Sequence, residues 1–288
     1  VKEGALLFGE EKSLVAVITE PSGALGRERP AVIFLNAGVL HRVGPNRIHV
    51  RLARELARHG FVSMRFDFSG LGDSRSRRDP TPFVESAVAE TRQGMDLLAS
   101  SRGAQSFLLI GICSGADNAL RAAGLDERVV GTALIEPYGI PAPGFLLYSY
   151  RRKILNPLAW WRLLRGRSEL WEMLRERTRA SGEADPVPGA QSVITEAVVP
   201  SREEVLAQLR RLTERGVDLC LVYSAESPAY HNYRTLLRRE VRKAMARGRA
   251  QLEVITRTDH VFTPAAAQQR LVALLADWAC HVAAREAL

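Results

Sequence analysis

The chain has 288 residues, 46% of them hydrophobic and 25% charged, with a formal net charge of +8. That length suits one large α/β domain with an inserted lid, and no apolar run approaches the ~20 residues that span a bilayer. Lys2, Glu3 and residues 10–12 interrupt any apolar leader, and three cysteines without paired spacing (Cys113, Cys220, Cys280) indicate neither disulfides nor zinc. A reduced, cytoplasmic protein with no metal and no cofactor is expected.

In chain order, residues 4–10 and 14–21 read as two short strands around a charged turn, and Ala31–Leu35 as an apolar strand ending in Asn36-Ala37-Gly38-Val39. Residues 49–59 form an amphipathic helix with Val50, Leu52, Ala53, Leu56 and Ala57 on one side. On that reading His49, His59 and His281 are solvated on helix faces. Phe61–Asp67 is the next strand and Phe83–Ser100 the next helix, followed by the strand from Phe107 and the strand Val129–Ile135. The alternation then breaks. Residues 139–215 carry helix-like pieces rich in aromatics (Phe145, Tyr148, Tyr150, Trp160, Trp161, Trp171), a Gly/Pro loop and a helix from Glu203, and are expected to form a helical lid. Strand 218–224, a basic helix 233–247, strand 252–256 and a final helix 265–284 complete the pattern. Strands alternating with helices predict an α/β fold: a mostly parallel eight-stranded sheet covered on both faces, with a core of 1–138 and 216–288 and the lid 139–215 inserted after strand 6.

The most informative stretch is Gly111-Ile112-Cys113-Ser114-Gly115. A buried strand turns sharply into a helix, with glycine two places either side of Cys113, which is the layout of a nucleophile elbow. Ser114 is one place out of register for that role. Ligands of open parallel sheets bind beyond the carboxyl ends of the strands. There the sequence gathers Cys113, then Glu136, Glu226 and His260, in the order nucleophile, acid, base. Asp67-Phe-Ser-Gly-Leu-Gly-Asp-Ser74 lacks both a third glycine and a GK[ST] ending, so it does not read as a nucleotide loop.

Over nearly its whole length the chain resembles the α/β-hydrolases. The match rests on Gly111–Gly115, Asn36–Val39, Asp67–Ser74 and Asp259-His260-Val261-Phe262. The elbow cysteine is similar to that of dienelactone hydrolases. Gly44-Pro-Asn-Arg47 and Cys113-Ser-Gly-Ala-Asp117 resemble hydrolases found with exosortases and biosynthetic gene clusters. The resemblance implies Cys113 as nucleophile, its pKa lowered by an imidazole and a helix N-terminus. It implies His260 as general base, and an oxyanion hole made by the Ser114 amide with one from the Ala37-Gly38-Val39 loop, Val39 or alternatively Ala37. Glu226 is the favoured acid and Glu136 its rival, while Asp259 shapes the loop beside His260. His41, next to the oxyanion loop, and His231, after strand 7, could touch substrate or be plain loop residues.

The expected function is a cysteine-dependent acyl hydrolase, thioesterase-like, acting on an ester or thioester in a biosynthetic pathway. An acyltransferase or cyclase, a lactone hydrolase, and a non-catalytic binding protein on the same scaffold are the alternatives. Arginines concentrate in 151–179 and 234–249. With no nucleic-acid motif beside them, they suit a small acyl substrate carried on coenzyme A or an acyl carrier protein.

Overall fold

Eight strands pair into one sheet: β1 (Lys2–Phe8), β2 (Leu14–Glu20), β3 (Ala31–Leu35), β4 (Ser63–Phe66), β5 (Phe107–Ile112), β6 (Val129–Ile135), β7 (Asp218–Ser224) and β8 (Ala250–Ile255). Their order across the sheet is β1-β2-β4-β3-β5-β6-β7-β8. β2 runs antiparallel to both neighbours, and all later pairings are parallel. The structure is a computed structural model describing residues 1–23, 29–137 and 200–287. The expected lid aromatics, Phe145 to Trp171, lie outside the described residues.

The central strands are buried along their whole length, as parallel strands covered on both faces must be. Alternate residues then feed two different layers. Val32, Phe34, Leu108 and Ile110 join a cluster with Leu52 and Leu56 of helix α1 (Ile48–Arg58) and Leu271, Leu275 and Trp278 of helix α7 (Ala265–Glu286). Ile33, Leu35, Leu109 and Leu221 pack on the other side. Their partners there come from α2 (Phe83–Arg102), α3 (Ser114–Leu125) and α4 (Arg202–Glu214), including Met95, Ala119 and Leu209. α4 starts on a capping box: Ser201 Oγ accepts the Glu204 amide at 3.2 Å, and Glu204 accepts the Ser201 amide at 2.6 Å.

The single basic helix expected over 233–247 is instead three pieces: α5 (Pro228–Asn232), a π turn (Tyr233–Leu237) and α6 (Arg238–Ala246). The chain turns helical earlier than expected because Ser227 caps α5, its Oγ accepting the Tyr230 amide at 3.0 Å ahead of Pro228. No helix among the described residues is long and apolar enough to cross a membrane.

His49 corrects the sequence reading. It is buried, 1% exposed, and its ring stacks on Phe34 with centroids 5.3 Å apart. Neither ring nitrogen has a hydrogen-bond partner among the described residues. Burial lowers its pKa from 6.5 to about 4; the Arg42 backbone opposes the shift and the Arg65 charge adds to it. Because the folded pKa is depressed, His49's contribution is full above pH 6.5 and is lost as the pH falls toward 4. The loss should reach about 3 kcal/mol, from 1.36 kcal/mol per pKa unit. Denaturant titrations of wild type and His49→Phe between pH 7 and 4 check this, with the variant expected to show the flatter pH dependence.

Candidate active site

The elbow is built by backbone crowding. Cys113 follows β5 and caps α3 at φ 56°, ψ −124°, a positive-φ conformation that a side-chain-bearing residue keeps only when its surroundings impose it. A Cβ on Gly111 would lie 2.1 Å from the Gly115 carbonyl oxygen. A Cβ on Gly115 would lie 2.5 Å from the Asn36 carbonyl oxygen and 2.7 Å from that of Leu35. Both glycines are therefore demanded by close approach, and Gly115 packs backbone to backbone against the loop that follows β3. The Cys113 amide donates to the Ile135 carbonyl at 2.8 Å, fixing the turn to the end of β6.

The Asn36–Val39 loop is held from two sides. Asn36 Nδ2 donates to the Leu40 carbonyl at 2.8 Å and to Asp67 Oδ1 at 3.2 Å, while its Oδ1 accepts the Phe68 amide at 3.1 Å. Asp67 is fully buried and also accepts from the Arg42 amide and guanidinium and from the Asp73 amide. Arg42 pairs with Asp73 as well, at 2.7 Å. From the elbow side, Ser114 Oγ accepts the Gly38 amide at 2.8 Å. Ala37 is buried, Gly38 half-buried, and Val39 and His41 exposed. The Val39 amide has no acceptor among the described residues.

Strand register brings the acid candidate to the nucleophile. Ile112 lies opposite Ile135, so Cys113 and Glu136 leave adjacent parallel strands at the same level. Glu136 is buried, 3% exposed, with φ 49°. Its Oε1 accepts the Ser224 amide, and Oε2 is buried without a hydrogen-bond partner among the described residues. Burial pushes its carboxyl up, against the Ser227 hydroxyl, the Ser224 amide and hydroxyl and the nearby His260 ring. Burial also pushes the Cys113 thiol up; the Ser114 amide opposes this, and the charges of Asp117 and Glu136 add to it. The expected lowering of the thiol's pKa is thus not what these surroundings produce. Glu136 is close enough for its charge to act on both Cys113 and His260.

Glu226 stands exposed in the turn after β7. His260 is exposed in the turn after β8, and its loop is tied down on both sides. Asp259 accepts the Thr263 amide and hydroxyl, each at 2.8 Å, as a loop-shaping residue should. Asn46 Nδ2 donates to the Val261 carbonyl at 2.9 Å, so the Gly44-Pro-Asn-Arg47 segment holds the histidine loop in place. His231 is half-buried in α5.

Among the described residues, a mostly apolar cavity of about 40 Å³ adjoins this edge, between α3, the ends of β6 and β7, α4 and the π turn. Leu120, Leu134, Pro137, Tyr223 and Leu237 are among its walls. A larger cavity of about 380 Å³, bordered by Arg210, Arg239, Lys243 and Arg247, sits by Leu219 at the opposite end of β7, away from Cys113.

No family model matches the chain, and no curated protein matches it in sequence. Solved structures do match. Proline iminopeptidase from Mycobacterium smegmatis aligns over 99% of each chain at a TM-score of 0.61 and 13% identity. Dienelactone hydrolase from Anabaena variabilis aligns over 97% of each chain at 0.57 and 13%. The thioesterase domain from the curacin biosynthetic pathway aligns over 97% of this chain and 99% of its own at 0.56 and 17%. This likeness extends over the whole chain and agrees with the strand order, the strained turn after β5 and the loops at the sheet's carboxyl edge: the chain has the α/β-hydrolase fold.

Proposed function

We propose that the chain is an acyl-transfer hydrolase that cleaves an ester or thioester through an acyl-cysteine on Cys113. The carrying observation is Cys113 itself, held at φ 56° on the N-terminus of α3 between two glycines that no other residue can replace without a clash. Structures of the same fold whose names include dienelactone hydrolase and thioesterase support hydrolysis of an ester or thioester, and the cysteine is this chain's own feature.

In the proposed mechanism His260 takes the Cys113 proton as the sulfur attacks the substrate carbonyl carbon. Deprotonation accompanies attack because the thiol, pushed up by burial, is neutral at pH 7. The oxyanion is met by the Ser114 and Val39 amides. Collapse breaks the bond to the leaving thiolate or alkoxide, which takes the proton from His260. Water then gives a proton to His260 and its oxygen to the acyl carbon. The C–S bond breaks, the Cys113 sulfur recovers the proton, and a carboxylic acid leaves. We assign Glu136 as the acid that holds the imidazolium, with Glu226 as the second candidate.

A carrier bearing phosphate or acidic groups would be drawn to the protein by its net positive charge of +8, an attraction of the whole surface rather than of the edge that carries Cys113. Peptide mass spectrometry after brief exposure to a panel of acyl thioesters tests the reading. An acyl adduct on the Cys113 peptide is expected, absent in Cys113→Ala, with turnover in the same samples. An adduct on Ser114, or neither adduct nor turnover across thioesters, esters and lactones, overturns it.

A further inference from the structure

The hydroxyl one place beyond the proposed nucleophile has a defined partner. Ser114 Oγ accepts the Gly38 amide at 2.8 Å across 76 residues of chain. It does so where Gly115 and the Asn36 carbonyl are already in backbone contact, so the elbow and the loop after β3 meet along one seam. The bond has two consequences. It commits the Gly38 N–H to the protein, which takes Gly38 out of the set of amides that could meet an oxyanion. It also fixes the Ala37–Gly38 peptide, one unit before the peptide that carries the Val39 amide, which has no acceptor among the described residues.

The remaining side-chain anchors of this loop lie on its other side. Asn36 and Arg42 hold its two ends through Asp67, and Asn36 also reaches the Leu40 carbonyl. The Leu40 amide also donates to the Ala37 carbonyl at 3.0 Å and closes a turn around Gly38 and Val39, but only the bond from the Gly38 amide to Ser114 Oγ ties the tip of that turn to the elbow. Val39 is 49% exposed, so its side chain contributes little packing to hold it in place. A donor displaced by about 1 Å from a developing oxyanion forfeits much of its effect, and one such donor is worth about 10²–10³ in rate.

We propose that the Ser114 side chain is a positioning residue: by accepting the Gly38 N–H it aims the Val39 amide at the carbonyl oxygen above Cys113. Ser114 thus serves the oxyanion hole twice, with its own amide directly and with its hydroxyl through the loop. This rests on the acyl-cysteine reading of Cys113.

Two reactions of the same sulfur separate the possibilities. Acylation by a thioester passes through an oxyanion, whereas alkylation by iodoacetamide is a displacement at saturated carbon with none. In Ser114→Ala, which keeps the backbone amide, the rate of Cys113 acylation from a simple acyl thioester should fall tenfold or more, while iodoacetamide alkylation of Cys113 stays within about twofold of wild type. The loss should appear in kcat rather than KM, because the oxyanion exists only beyond the ground state. Ser114→Thr, which keeps the acceptor oxygen, should restore most of the acylation rate.

Unchanged acylation in Ser114→Ala overturns the proposal. So does a parallel fall in both reactions, which would assign Ser114 to the thiol or the fold instead. A Thr variant as slow in acylation as Ala, with alkylation intact, also overturns it. Absence of acyl-Cys113 in the wild-type chain would overturn the proposed function itself, and is read from the wild-type samples alone.

Discussion

Glu136→Gln is expected to lower kcat/KM by about 100-fold or more, and Glu226→Gln to change it by less than about threefold, as losing the orienting acid costs a serine triad about 10⁴ and a thiol depends on it less. The asymmetry follows from register. Glu136 leaves β6 level with Cys113, is buried, and has a charge that reaches both the thiol and the imidazole. Glu226 is exposed in the turn beyond β7. Glutamine keeps the shape and the acceptor for the Ser224 amide but not the charge. It also relieves a buried carboxylate whose Oε2 has no partner among the described residues. The thermal midpoint of Glu136→Gln should therefore not fall while activity does. Steady-state kinetics with any turned-over thioester, beside a thermal melt, checks both halves. A 100-fold loss in Glu226→Gln with Glu136→Gln near wild type would exchange the two roles.

Asp67→Ala should destabilise the fold by about 3 kcal/mol, toward the lower end of what breaking a buried charge pair costs, because Arg42 keeps Asp73 at 2.7 Å. The loss is larger than a surface ion pair would give. The alanine removes the acceptor of the Arg42 and Asp73 amides and one of the two acceptors of Asn36 Nδ2, which keeps the Leu40 carbonyl. Those donors define both ends of the loop carrying Gly38 and Val39, so activity should drop in the molecules that remain folded. Urea denaturation measures the first effect, and kcat on the folded protein under native conditions the second. Stability within 1 kcal/mol of wild type would show that the cluster is solvated and replaceable.

The sheet is legible because its strands announce themselves as apolar runs between turn residues, and because the functional side chains follow strand ends. The elbow is legible for a stricter reason: two glycines flanking one residue have few uses, and the crowding at Gly111 and Gly115 is what the spacing anticipates. Two readings fail on contacts that linear spacing reports weakly. His49 reads as solvated although 49, 53 and 56 follow the i, i+4, i+7 spacing of the buried stripe in α1, and that pattern could have found it. A depressed thiol pKa follows from neighbours in motif order. The actual balance depends on burial and on Asp117 and Glu136 approaching in space. The bond from Ser114 to Gly38 and the buried Arg42–Asp67 pair join residues 76 and 25 positions apart, and no local pattern encodes either. The choice between Glu136 and Glu226 turns on which strand end faces Cys113, a property of parallel register rather than of either residue's neighbours.

The raised thiol of Cys113 also bears on how this protein meets oxidants. Peroxide attacks the thiolate, not the thiol, and a low-pKa exposed cysteine climbs readily to sulfenic and then irreversible sulfinic acid. Cys113, whose thiol burial pushes up and which is only partly exposed, is expected to react slowly with peroxide while the site is at rest. Cys220, fully buried with its thiol pushed up to about 12, is quieter still. Under the proposed mechanism the sulfur becomes reactive only for the duration of each attack, when His260 draws off its proton in front of a carbonyl. On that mechanism the resting protein is expected to tolerate peroxide better than an enzyme that holds a standing thiolate.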